Sequence, residues 1–169
     1  MQKWIKITFV IYILILIKLI IFKYPYEQLV EIAASWQPEV FLTGLRSANF
    51  VPFKTIKMYI EYSDRLNSFE NLIGNILAFV PFGMMFPLMN AKVRNFGYVI
   101  FNAFFLVLGI ELFQCFTSFG AFDVDDIILN CFGVFIGYAI YIKSRSMIPA
   151  FDKIMRMEEE KYGADFEEN

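Results

Sequence analysis

The chain contains 169 residues, of which 58% are apolar and 19% are aromatic. Ordinary soluble domains have about 45 to 50% apolar residues, so this composition excludes a typical soluble protein and indicates an integral membrane protein. The 15 basic and 17 acidic residues give a net charge of -2 at pH 7, which argues against nucleic acid as a partner. The chain has no histidine, which excludes a Ser-His-Asp hydrolase and leaves acid–base chemistry mainly to carboxylates.

Four apolar segments have about the length that a membrane-spanning helix needs. They cover residues 5–22, 72–89, 96–116 and 127–142. A helix rises about 1.5 Å per residue, and the hydrocarbon core of a bilayer is about 30 Å thick. The sequence therefore predicts an all-α integral membrane protein with about four transmembrane helices. Residues 1–143 would form the transmembrane domain, and the charged residues 144–169 a cytoplasmic tail that is either a solvated helix or disordered.

The segment 23–71 between the first two spans is too apolar to be a simple linker. Pro52 suits the first position of a helix, and Phe53, Ile56, Tyr59 and Ile60 follow at roughly helical spacing. This pattern predicts an interfacial helix on the outer membrane surface. A loop helix packed on the other spans is an equally compatible interpretation.

The distribution of basic residues predicts the orientation. Lysines and arginines flank the start of the first span, occupy the turn at 90–95 and follow the fourth span, whereas residues 117–126 contain none. By the positive-inside rule, both termini and the 90–95 turn are cytoplasmic, and segments 23–71 and 117–126 face outward.

Polar residues within or next to the last three spans lie at one depth, in the outer leaflet. The set consists of Asn71, Asn75, Glu111, Gln114, Asp123, Asp125, Asp126 and Asn130. An ionisable side chain inside a membrane is costly and usually functional, so the set predicts a ligand site. The alternative is that these groups only join helices through hydrogen bonds, which is our interpretation of Asn102 in the inner leaflet.

Several residues suggest specific chemistry at this site. Arg46, just before Asn49, could clamp a carboxylate or meet a ligand phosphate. Glu111 is the candidate general acid or base, and Asp123, Asp125 and Asp126 are candidate ligands for a divalent cation, the one cofactor that the sequence suggests.

Three further features concern packing. Pro81 removes a backbone donor and predicts a kink or break in the second span. Gly133 and Gly137 form a GxxxG step that predicts close helix contact. The two cysteines, Cys115 and Cys131, lie in apolar runs and are expected to pack as small apolar residues.

Taken in order, these residues resemble the VanZ-like family of small bacterial membrane proteins. The matching motifs are Arg46-x-x-Asn49-Phe-Val-Pro52-Phe53, Asn71-Leu-Ile-Gly-Asn75 with Phe79-Val-Pro81-Phe82-Gly83, Glu111-x-x-Gln114, and Phe122-Asp123-Val-Asp125-Asp126 with Asn130, Gly133 and Gly137. Together they cover about residues 46–138. The stretch 118–121 departs from the family by lacking a basic residue, which leaves Arg46 as the sole candidate cation of the outer face.

The resemblance implies a location in the bacterial plasma membrane and a role in resistance to lipoglycopeptides such as teicoplanin. The leading hypothesis is a non-transporting envelope protein whose outer site binds a membrane lipid head group or a lipid-linked peptidoglycan precursor. An intramembrane enzyme that modifies such a lipid, with a metal held by the aspartates, is the alternative. A transporter is disfavoured because the inner halves of the last three spans contain no acid or base.

Overall fold

A computed structural model describes residues 2–21, 25–62, 68–89 and 93–167. Within these ranges the chain forms helices and no β-strand, which confirms the predicted all-α class. The helices are α1 (Gln2–Ile21), α2 (Tyr26–Ala34), α3 (Pro38–Ser47), α4 (Lys54–Glu61), α5 (Ser68–Met85), α6 (Phe96–Thr117), α7 (Val124–Met147) and α8 (Pro149–Glu167). A 3-10 turn, Phe86–Leu88, extends α5.

Three helical segments are long and apolar enough to cross a membrane. They are Glu70–Leu88, Phe96–Thr117 and Val124–Met147, and they match the predicted spans 72–89, 96–116 and 127–142. The last segment continues past the predicted end at 142, so the proposed domain boundary at 143 falls inside α7. The chain is thus a membrane protein by length and composition of its helices.

The first predicted span, 5–22, coincides with α1 except at residue 22, which lies outside the described residues. Twenty residues of helix measure about 30 Å. Phe9 and Leu16 are buried in the hydrophobic core, whereas Val10 and Leu14 are exposed on the opposite side. An apolar outer face is what contact with lipid requires, and the assignment of α1 as a fourth span stays a prediction.

Glycines bring α5 and α7 into backbone contact. A Cβ added at Gly133 would lie 2.1 Å from the Ile76 carbonyl oxygen, and one at Gly137 would lie 2.0 Å from the Val80 carbonyl oxygen. Gly83 makes the reciprocal contact with the backbone at Val134. These contacts confirm the close packing predicted from the GxxxG step.

Helix α5 continues through Pro81 to Met85, so the proline does not break it. Proline leaves the Leu77 carbonyl without its usual donor four residues later. The next carbonyl, that of Ala78, accepts a hydrogen bond from the Tyr12 hydroxyl of α1 at 2.7 Å. The tyrosine therefore ties α1 to α5 at the turn that the proline weakens.

The interpretation of Asn102 as an interhelical link is wrong. Its side-chain amide donates to the Tyr98 carbonyl at 2.7 Å, one turn earlier in the same helix. An amide at this spacing is satisfied by its own backbone and needs no neighbour. Of the cysteines, Cys115 is buried and Cys131 half-buried, both as free thiols.

The segment 23–71, predicted as an outer loop with one helix, contains α2, α3, α4 and the first turn of α5. The Trp36 indole donates to the Phe116 carbonyl at 2.9 Å, and the Phe41 ring packs on the Phe116 ring, which fixes this segment against the end of α6. Helix α4 begins at Lys54, later than Pro52 suggested. Its exposed apolar side chains, including Met58 and Ile60, are compatible with the predicted interfacial position.

The tail forms helix α8 with one packed face, which excludes a disordered tail over Pro149–Glu167. Met155 is fully buried, and its carbonyl accepts a hydrogen bond from the Arg94 guanidinium at 2.7 Å. Arg145 of α7 and Arg156 of α8 both bind the Asp152 carboxylate at 2.8 Å. Helix α8 is therefore part of the bundle rather than a freely solvated element.

Candidate functional site

The predicted site lies at one end of the bundle, which we call the polar end. There, the segment that follows α3 pairs with the segment that precedes α7. The Asn49 amide donates to the Phe122 carbonyl at 2.8 Å, and the Val124 amide donates to the Asn49 carbonyl at 3.0 Å. This short parallel bridge pairs Asn49 with Asp123, two residues that are 74 positions apart.

Asp123 and Asn49 organise this bridge through their side chains. The Asn49 side-chain amide donates to Asp123 Oδ1 at 2.8 Å, and the Thr55 hydroxyl donates to Asp123 Oδ2 at 2.6 Å. Asp123 Oδ1 also accepts from the Asp125 backbone amide at 2.8 Å, so Asp123 is the N-cap of α7. Both carboxylate oxygens of Asp123 are thus used within the fold.

Asp125 is fully buried and holds the start of α4. Its carboxylate accepts hydrogen bonds from the Phe53 amide, from the Thr55 amide at 2.7 Å and from the Ile56 amide at 3.1 Å. Phe53 has a φ of 66°, in the left-handed region, and this turns the chain so that the amides of the first α4 turn face Asp125. An anionic acceptor at a helix N-terminus is favourable because those amides have no partners within the helix.

Glu111 and Asp126 connect the spanning helices. Glu111, only 2% exposed, accepts a hydrogen bond from the Asp123 amide at 3.0 Å, which joins α6 to the start of α7. Asp126 accepts from the Asn75 side-chain amide at 2.7 Å, which joins α7 to α5. The predicted helix-joining role is therefore present at these positions.

A cavity of about 420 Å³ opens between α1, α4, α5, α6 and α7 at the polar end. Six of the predicted site residues line it: Asn71, Asn75, Glu111, Gln114, Asp126 and Asn130. Asn130 is 4% exposed, and its side-chain carbonyl oxygen is buried without a hydrogen-bond partner. The structure thus brings these six residues around one space, whereas Asn49, Asp123 and Asp125 hold the α3–α4 segment against the start of α7.

Two polar lining residues, Tyr59 and Glu70, were not predicted as site residues. Burial, together with the Asp126 and Asp123 carboxylates, raises the pKa of Tyr59, and its phenol hydrogen-bonds the Asn71 side chain. Tyr59 was assigned from its spacing to the apolar face of α4. Glu70 could have been predicted, because it is an acidic residue directly before the predicted site residue Asn71 in the first turn of the same helix.

Arg46 does not clamp Asp123 or Asp125 as proposed from the sequence. Its side chain is exposed at the last turn of α3. The carboxylates of Asp123 and Asp125 accept instead from amides and a hydroxyl. Their oxygens are occupied by uncharged donors of the α3–α4 segment, so a guanidinium is not needed there.

The candidate metal ligands do not converge. Asp123 and Asp125 direct their oxygens to donors near α4, and Asp126 accepts from Asn75 on the cavity side. Within the described ranges, no group of three acidic or cysteine side chains is placed to hold a metal ion. The arrangement is better suited to hydrogen bonding than to metal coordination.

Comparison with known proteins agrees with the motifs at this site. The sequence profile of the VanZ/LLP1 family matches residues 9–148. Protein VanZ of Enterococcus faecium is 32% identical over 133 residues, which cover 78% of this chain and 69% of that protein. No solved structure gives a significant match. With a match that includes both the spanning helices and the polar end, the chain belongs to the VanZ/LLP1 family.

Proposed function

We propose that this protein acts at the outer face of the bacterial plasma membrane, where its cavity binds a membrane lipid head group or a lipid-linked peptidoglycan precursor. Through this binding it would contribute to resistance to teicoplanin-type lipoglycopeptides. The similarity to Protein VanZ supports the resistance role. The cavity at the polar end supports the binding role.

The observation that carries the proposal is the unpaired Asn130 carbonyl oxygen beside a polar cavity. If the polar residues only joined helices, the buried acceptors would all have partners in the fold, because an unsatisfied buried acceptor costs about 1 to 3 kcal/mol. A volume of about 420 Å³ is also within the range of small-molecule sites. The cavity can therefore hold a head group of modest size.

A binding role is favoured over metal-dependent catalysis because Asp123 and Asp125 already have structural partners. Glu111 lines the cavity and remains the candidate for contact with a ligand proton. Arg46 is exposed at the end of α3, where we propose that it meets the phosphate of the bound lipid.

Filling the cavity tests the proposal without removing a polar group. Gly74 lines the cavity, and a Cβ added there meets no atom within 4 Å. Gly109 on α6 is equally open but does not line the cavity, so it provides a matched control. The full chain, Gly74→Leu and Gly109→Leu are expressed at equal abundance in a teicoplanin-susceptible bacterium.

We expect the wild type and Gly109→Leu to raise the minimal inhibitory concentration of teicoplanin, and Gly74→Leu to lose the increase while unfolding at a similar temperature in detergent. Lipids that co-purify with the wild type should be depleted from Gly74→Leu, as measured by mass spectrometry. Full activity of Gly74→Leu would show that the cavity is not the functional site. No increase with the wild type would refute the role in resistance.

A further inference from the structure

We propose that the group recognised inside the cavity is a protonated primary amine of a lipid head group, and not a phosphate. This inference rests on the proposed function, because it takes the cavity to be the ligand site. Beyond that function, it specifies that the bound group is positively charged and donates hydrogen bonds.

The charge of the lining favours a cation. Glu70 of α5, Glu111 of α6 and Asp126 of α7 bring carboxyl groups to the cavity from three helices. Lysine and arginine are absent from the lining within the part of the chain that the structure describes. A cleft lined by acidic groups favours cations over anions, so an ammonium suits this lining better than a phosphate does.

The hydrogen-bonding inventory favours a donor. The Asn130 oxygen lacks a donor in the fold, and carboxylates can only accept. A primary ammonium carries three N–H donors, so one group can pair with Asn130 and with carboxylates of the lining. A quaternary ammonium has the same charge but no N–H, and it would leave Asn130 unpaired.

A primary amine also suits the geometry better than a metal ion does. The described residues contain no group of three acidic or cysteine side chains placed to hold a metal. An ammonium tolerates amide oxygens and carboxylates in a looser arrangement, and Asn71, Asn75 and Gln114 supply amides around the same space. Arg46 does not line the cavity. In this proposal it binds the phosphate of the same zwitterionic head group, outside the cavity.

The test uses the full-length protein in nanodiscs of phosphatidylcholine, to which phosphatidylethanolamine or phosphatidylglycerol is added. Relative to phosphatidylcholine alone, we expect phosphatidylethanolamine to raise the unfolding temperature by roughly 5 °C, as binding at a large excess over Kd would, and phosphatidylglycerol to have little effect. Free ethanolamine added to phosphatidylcholine nanodiscs identifies the source of the amine. Stabilisation by the free compound shows recognition of the amine itself, and stabilisation by the lipid alone shows recognition of the membrane-borne head group.

Variants link the effect to the cavity. Glu70→Gln, at an exposed lining position, should reduce the shift caused by phosphatidylethanolamine, and Glu111→Gln should reduce it further if that protein folds. Glu61→Gln on the exposed side of α4 is the matched control and should retain the full shift.

Stabilisation by phosphatidylglycerol would reveal an anion site and overturn the inference. No effect of phosphatidylethanolamine relative to phosphatidylcholine alone would overturn it as well. The teicoplanin assay with Gly74→Leu separates the two proposals. If Gly74→Leu loses resistance but phosphatidylethanolamine does not stabilise the wild type, the cavity is functional and the proposed ligand class is wrong. If Gly74→Leu confers as much resistance as the wild type, the proposed function itself is rejected.

Discussion

At the scale of single residues, the polar groups of the site divide into two sets with different tasks. Asn49, Asp123 and Asp125 use their polar atoms to hold the α3–α4 segment against the start of α7. Asn130 and Asp126 face the cavity instead. Adjacent residues on a helix point about 100° apart, so Asp125 faces the α3–α4 segment while its neighbour Asp126 faces the cavity.

Asp125→Asn is expected to lower the free energy of unfolding by about 1.5 to 3 kcal/mol, the usual contribution of a hydrogen bond to a charged group. The asparagine side chain has an NH₂ group in place of one carboxylate oxygen, and this donor would face the backbone N–H donors of the first α4 turn. Thermal unfolding in detergent measures the change. Asp126→Asn, one residue further, is the comparison and should cost less, while losing amine-dependent stabilisation. Equal stability of Asp125→Asn and wild type would contradict the structural role of Asp125.

At the scale of helices, the α5–α7 contact depends on the absence of side chains. Carbonyl oxygens of α5 occupy the space where a Cβ would stand at Gly133 and Gly137. Because both helices supply lining residues, Asn75 on α5 and Asp126 on α7, their separation also fixes the width of the cavity.

Gly133→Ala is expected to destabilise the protein by about 1 to 3 kcal/mol, because the added methyl group must push a backbone carbonyl away. Gly109→Ala, on an open part of α6, should be neutral or slightly stabilising, since alanine favours helices over glycine. Unfolding temperatures at equal detergent concentration provide the measurement. A Gly133→Ala protein as stable as Gly109→Ala would show that α5 and α7 can separate freely.

The attachment of α8 is expected to depend on pH through Asp152. Hydrogen bonds from Arg145 and then Arg156 lower the pKa of the Asp152 carboxyl below its ordinary value of 3.8. A lowered pKa in the folded state means that the stabilisation is present above the ordinary value and is lost as the pH falls through the lowered one. Hydrogen exchange of α8, corrected for the intrinsic pH dependence, should increase in that acidic range relative to α7.

Asp152→Asn is the control for this prediction. Its α8 should exchange faster than wild type at neutral pH and show a smaller additional increase in acid, because the arginines have lost their anion. Identical pH profiles for the two proteins would assign the acid effect to other carboxyl groups.

At the scale of the whole molecule, the two ends of the bundle differ in charge. The polar end holds the carboxyl groups of the cavity, and the opposite end holds Arg94, Arg145 and Arg156 around the α7–α8 junction. The positive-inside rule predicts that the arginine-rich end is cytoplasmic, which would place the cavity in the outer leaflet.

Labelling of single cysteines tests this orientation in a protein without Cys115 and Cys131. Ala121 is exposed at the polar end, whereas the neighbouring Ser118 hydroxyl is buried, so Ala121→Cys is the better reporter. It should react with a membrane-impermeant thiol reagent in intact cells, and Met147→Cys, exposed at the opposite end, should react after permeabilisation. The reverse pattern would place the cavity at the cytoplasmic face.

The sequence by itself determined the helical class, the three spans that meet the length and composition of a membrane helix, and the close approach at Gly133 and Gly137. These follow from local quantities, namely apolar run length and side-chain size. It also placed Glu111, Asp126 and Asn130 at one depth, because helical rise converts sequence position into height. Depth alone does not say which groups face each other.

The tertiary structure decided what each polar side chain contacts. Asp125 became a cap for α4 because residues 53–56 lie beside it in space, which the intervening 69 to 72 positions of sequence hide. Arg46 is exposed, and uncharged donors satisfy the Asp123 and Asp125 carboxylates in its place. Tyr59 lines the cavity because α4 packs against α5. Rotation of one helix relative to another is set by contacts summed over all the helices, so no local pattern in the chain contains it.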